Sequence, residues 1–177
     1  MQLFILHKVP RISAQMYCDK HIVKILTEAC QILCTVYRAN IKGETPDFMY
    51  LSTHYNHPCT KWTGKNLSNF KYTLKLAEEL YKEYQYRYNK PEKHQRAKQI
   101  IDYLKEHLPL LKNEPQTEFV KAIDKEKHSD LHDENLSVVQ AYRSYYERDK
   151  RHLFKWTNRM KPYWIKEVTN VRNKNKN

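Results

Sequence analysis

Glycine is almost missing from this chain: Gly43 and Gly64 are the only two among 177 residues. That scarcity excludes a Gly-rich phosphate loop or a Rossmann turn and argues against an all-β fold with many tight hairpins. Long apolar runs are missing too. Residues 3–6 fall far short of the roughly 20 that cross a bilayer, and no secretory apolar segment is present. The expected setting is cytoplasmic, without a membrane partner. The cysteines Cys18, Cys30, Cys34 and Cys59 are expected to stay reduced. They form no paired CxxC ligand sets, so no metal and no cofactor is expected. Acidic residues are also scarce: 20 Asp and Glu face 32 Lys and Arg, a formal charge of +12. A field of that sign attracts phosphate backbones, so the expected partner is nucleic acid, with DNA favoured.

What is present suffices for one packed domain, since hydrophobic residues make up 40% of the chain and that is too many for compositional disorder. Residues 2–7 (QLFILH) are apolar and β-prone and predict a short N-terminal strand, ended by Pro10. A helix is predicted from an N-cap at about Ser13 to about Ala39, with Ile22, Ile25, Leu26, Ala29, Leu33 and Val36 on its apolar face. Residues 40–65 hold Pro46, Pro58 and both glycines and read as a long loop, a length that tends to mark function. Further helices are predicted from about Asn66 to Tyr88, from about Glu92 to His107, and from about Leu136 onward through Tyr142, Tyr146, Leu153 and Trp156. The expected fold is mainly α, a compact single-domain bundle of four or five helices with a short N-terminal strand. It would occupy residues 1–168, followed by a disordered basic tail at 169–177.

Three patterns could carry chemistry. On the first long helix His21, Lys24, Glu28 and Gln31 fall within about 80° of one another, opposite the apolar face. They offer a proton carrier, a cation and a carboxylate able to act as general acid or base. The same spacing also suits a solvated face with an i,i+4 Lys24–Glu28 pair. Asp19 sits off this stripe and reads as a cap or a partly buried group. The second pattern is His54, Asn56 and His57 before Pro58, with Trp62 close behind, which resembles a pocket wall but equally a polar turn. Metal ligation there would need a third ligand such as His7 or Asp19. The third is the basic C-terminal stretch, where Arg143, Tyr145, Arg148, Lys150, Lys155, Arg159, Lys161 and Trp164 interleave cations with aromatics. Cations neutralise phosphates and aromatics stack on bases, although such aromatics can also belong to a core. The acidic stretch at residues 128–134 lacks the glycine and spacing of a calcium loop and reads as a surface loop.

The segment AQMYCDKHIVKILTE from Ala14 to Glu28, with NHP at 56–58, AYRSYY from Ala141 to Tyr146 and then Lys155 and Trp156, resembles a family of small phage-encoded helical proteins of unsettled activity. Asp19, Lys20 and His21, with Glu28 following, also resemble the first helix of phage-type pyrimidine-dimer DNA glycosylases. In those enzymes an N-terminal α-amine attacks the sugar carbon with help from a glutamate of that helix, and an aromatic, basic C-terminal segment touches DNA. KPYWIK from Lys161 to Lys166 is similar to that segment. The resemblance implies Glu28 as the catalytic carboxylate and His21 as a helper on the substrate side. One departure is Gln2, which leaves Met1 in place, so the implied amine is either the Met1 α-amine or Lys24.

The function expected on these grounds is a phage-type DNA-processing enzyme, a glycosylase/lyase acting on damaged or modified bases. Glu28, His21, Lys24 and Met1 are its candidate catalytic residues, and Asp19, Gln31, Asn56, His57 and Trp62 its candidate substrate contacts. The alternatives are a non-catalytic nucleic-acid-binding accessory protein and a small nucleotide hydrolase or transferase built around His54 and His57.

Overall fold

Proline at position 10 starts a helix rather than only ending a strand, because its missing N–H falls where a helix has no acceptor to offer. The computed structural model describes residues 1–166, so the proposed tail lies outside the described residues. In order come α1 (Pro10–Met16), α2 (Asp19–Ala39), α3 (Pro58–Thr63), α4 (Leu67–Tyr88), α5 (Gln95–Glu106) and α6 (Val138–Asp149), with 3-10 turns at Ser129–His132 and Arg151–Leu153. The fold is mainly α, as the periodicity implies.

The predicted first helix is two. Tyr17 and Cys18 are extended, Cys18 at φ −69° and ψ 161°, and the chain turns between α1 and α2. The break leaves backbone donors without helical acceptors, and distant residues take them. Cys18 N–H donates to the Tyr146 hydroxyl at 3.0 Å, and Asp19 N–H to the Lys155 carbonyl at 2.8 Å. No local signal marks this break, since its acceptors lie far along the chain. Beyond it α2 buries Ile22, Ile25, Leu26, Ala29, Leu33 and Val36, the predicted stripe, chiefly against α4. Within the predicted loop, α3 forms where Pro58 takes the first helical position and His57 caps it. The last helix stops at Asp149, so Leu153 and Trp156 lie beyond its end.

The predicted N-terminal strand is not formed. Leu3, Phe4, Ile5 and Leu6 are all buried, but the segment pairs with no other strand among the described residues. Side chains supply its partners instead: the Tyr17 hydroxyl donates to Phe4 O, Arg143 Nε to Leu6 O at 2.9 Å, and Leu6 N–H to Ser13 Oγ at 3.2 Å. A short apolar run buried on every side gives the same pattern whether its neighbours are strands or helices.

Residues 154–166 form a strap across α1, α2 and α4. Trp156 Nε1 donates to Met16 O at 3.1 Å. Asp19 accepts from Thr157 N and Oγ1 and pairs with Arg87, which also holds Glu83, and Glu83 receives both Nε and a terminal nitrogen of Arg159. The Arg87 side chain is 0% exposed, so its charge is tolerable only with both carboxylates in place.

Candidate functional site

The buried N-terminal segment delivers Met1 and Gln2 to the outward stripe of α2. Gln2 N–H donates to Glu28 Oε2 at 2.8 Å, and Gln2 Nε2 donates to Ala122 O at 2.7 Å. Around this junction lies a cavity of about 420 Å³, inside the roughly 300–1,000 Å³ usual for small-molecule sites. Met1, His21, Lys24 and Glu28 line it together with His57 from the cap of α3. Tyr145, Lys150 and His152 reach it from the C-terminal side, and Asp124 from the segment before the first 3-10 turn.

Glu28 is therefore more than half of a solvated pair. Its Oε1 lies 3.9 Å from Lys24 Nζ, yet its side chain is only 16% exposed while that of Lys24 is 64% exposed. Lys24 can swing through solvent, whereas Glu28 is held by the backbone of residue 2. The other carboxylate at the cavity, Asp124, is occupied by the backbone N–H groups of Glu126 and Lys127 at 3.0 and 3.4 Å.

The two histidines have different surroundings but a shared arrangement. His21 is 4% exposed, stacks on Phe4 at 5.1 Å between ring centroids, and has Nδ1 2.7 Å from the Tyr146 hydroxyl. Burial first, then the charges of Lys150, Lys24 and His152, push its pKa down to about 4. His57 Nδ1 accepts the Cys59 N–H at 3.2 Å, which caps α3. Burial, then the Met1 α-ammonium and His54, lower the His57 pKa from its ordinary value.

The structure brings together His21, Lys24, Glu28, Met1 and His57, with Tyr145 and Lys150, and leaves the other candidate substrate contacts elsewhere. Asp19 faces the strap, where its pKa is lowered: burial opposes this, but the Thr157 and Arg87 hydrogen bonds and the Arg87 charge outweigh it. Gln31 does not reach the cavity, and Asn56 lies exposed in the turn ahead of α3. Trp62 is buried against Tyr72 and Phe119, with Nε1 donating to Glu118 O at 2.7 Å. His54, with Nδ1 2.6 Å from Thr53 Oγ1, does not line the cavity that His57 lines.

The basic C-terminal set divides as well. Arg148 pairs with Asp130 and Arg159 with Glu83, while Arg143 holds Leu6 O and the Tyr163 hydroxyl. Trp164 is half-buried and donates to the Met16 sulfur. Each of these four therefore has a partner within the chain. Lys155 and Lys161 are exposed, Lys150 lies 5.0 Å over the Tyr145 ring, and both Lys150 and Tyr145 line the cavity.

Sequence patterns missed Gln2, Phe4, Asp124 and His152. Phe4 and Gln2 sit in a run that reads as strand, and nothing local ties Asp124 to α2. His152 lies in the basic stretch and could have been found with its cationic neighbours. Among the described residues no group of three His, Cys, Asp or Glu side chains could hold a metal ion, and no helix is long and apolar enough to cross a membrane. Comparison with protein-family models, curated proteins and solved structures gives no match, so the site stands on its own residues.

Proposed function

We propose that this cavity is the active site of a phage-type base-excision DNA glycosylase/lyase, in which an amine attacks a sugar carbon. The observation that carries this reading is the convergence of two amines, Met1 and Lys24, with the backbone-anchored carboxylate of Glu28 in one cavity. In the reaction an amine lone pair forms a bond to the anomeric carbon, and the electrons of the bond to the base depart with the base, which takes up a proton. The attacking nitrogen loses its proton to a base, and Glu28 is the carboxylate placed to take it. Ring opening then leaves a Schiff base. Loss of a proton from the neighbouring sugar carbon expels the 3′ phosphate. Lys24 and Lys150 supply positive charge around the flanking phosphates.

The test is incubation of the protein with duplexes carrying abasic, damaged or modified sites in the presence of borohydride, which reduces an imine to a stable adduct. The expected product is a covalent complex whose linked residue is Met1 or Lys24. If duplexes are bound but none is cut or trapped, the chain is a non-catalytic nucleic-acid-binding protein. The hydrolase or transferase alternative is less favoured because His57 lines the cavity without His54.

A further inference from the structure

His21 and His57 both have Nδ1 already engaged by groups of the protein. Tyr146 Oη lies 2.7 Å from His21 Nδ1, 3.0 Å from Cys18 N and 3.3 Å from Cys18 Sγ. The hydroxyl has one proton to give, and Cys18 N–H fills one of its lone pairs. That proton can go to His21 Nδ1 or to Cys18 Sγ. Sulfur is a weak acceptor, so the tyrosine proton belongs on the imidazole nitrogen. His57 Nδ1 is an acceptor by geometry, since the backbone N–H of Cys59 can only donate. In each ring the remaining proton must then sit on Nε2.

We propose that His21 and His57 act here as neutral imidazoles whose Nε2–H groups are fixed donors, so that the cavity binds acceptor oxygens of a sugar phosphate and leaves proton transfer to Glu28. The ligand class rests on the proposed function; the tautomers do not. Phe4 fixes the plane of the His21 ring by stacking, and the α3 cap fixes His57. Cationic groups reinforce the neutral state from each side. Lys24 stands on the helix of His21, Lys150 follows α6, and His152 lies in the adjoining 3-10 turn. The Met1 α-ammonium and His54 act on His57. Glu28 and Asp124 are the opposing charges, and both carboxylates are engaged by backbone N–H groups. Tyr146 is a positioning residue that acts through His21.

The experiment is long-range proton–nitrogen correlation on the intact protein with 15N-labelled histidine, followed from about pH 8 down to about pH 4. The expected result is the Nε2–H tautomer for both rings, with protonation of His21 delayed until below about pH 5. An Nδ1–H tautomer, or a His21 midpoint near its ordinary value, overturns the assignment without touching the function. A binding arm uses a duplex containing a tetrahydrofuran abasic analogue. His21→Gln keeps a donor near the Nε2 position and should retain affinity within about threefold, whereas His21→Leu should lose about tenfold. Equal losses in the two variants overturn the donor role. Failure of the wild type to bind the duplex overturns the ligand class together with the proposed function, while the tautomer result stands.

Discussion

Two carboxylates on α2 show how position decides employment. Asp19 is enclosed by Thr157 and Arg87 and holds the strap, while Glu28 receives the Gln2 N–H and turns toward the cavity. The substitution Glu28→Gln keeps an oxygen for the Gln2 N–H but cannot carry a proton back and forth. Its turnover should fall by about 10²-fold or more with duplex affinity little changed, as measured by single-turnover kinetics beside a binding titration. His21 makes a second prediction. Its folded pKa, about 4, lies below the ordinary 6.5, so the unfolded chain binds the extra proton first. The stability from keeping this ring neutral is therefore complete above about pH 6.5 and is lost as pH falls toward about 4, a contribution of roughly 3 kcal/mol. Urea unfolding across that range should show the decline, and His21→Gln should flatten it. The stripe of His21, Lys24 and Glu28 was legible because one helix sets their spacing. Asp19 was not, because its role depends on Arg87 and Thr157, far away in the chain.

At the level of elements, the irregular pieces hold the site in place as much as the helices do. The apolar faces of α2 and α5 could be read directly from their three- and four-residue spacing. The break at Tyr17 and Cys18 could not, since its backbone donors are satisfied by Tyr146 and Lys155. On α4 the charged Glu83 and Arg87 are buried, and partners far along the chain account for them: Asp19 of α2 for Arg87 and Arg159 of the strap for Glu83. Removing one member of that network should be costly because the others stay buried. Glu83→Gln is expected to destabilise the fold by about 3 kcal/mol, a loss visible in urea unfolding. The exposed Lys98–Asp102 pair provides the control, and Lys98→Ala should stay within about 0.5 kcal/mol of the wild type.

Across the molecule, the net charge of +12 says that a polyanion will be attracted but not where it will lie. The contacts narrow the choice. Arg143, Arg148 and Arg159 hold internal partners, whereas Lys24 and Lys150 stand at the cavity and Lys155 is exposed nearby in sequence. Replacing Lys24 or Lys150 with alanine should each reduce the salt dependence of duplex binding by about one counterion, read as the slope of log affinity against log salt. Arg159→Ala should instead lower thermal stability and leave that slope unchanged. Equal slopes for all three variants would falsify this division of the cations.

The N-terminal segment has a consequence in time. Its buried residues and the cavity they lead to draw on residue 2 and residue 122 in one hydrogen bond, and on residues 18 and 146 in another. Closing such wide loops is slow compared with winding a helix, so α2 and α4 can form and pack before the cavity has its far wall. Lys24 and Glu28 precede that wall by more than 100 residues along the chain. The cavity is therefore complete only when Lys150 and His152 arrive to close it.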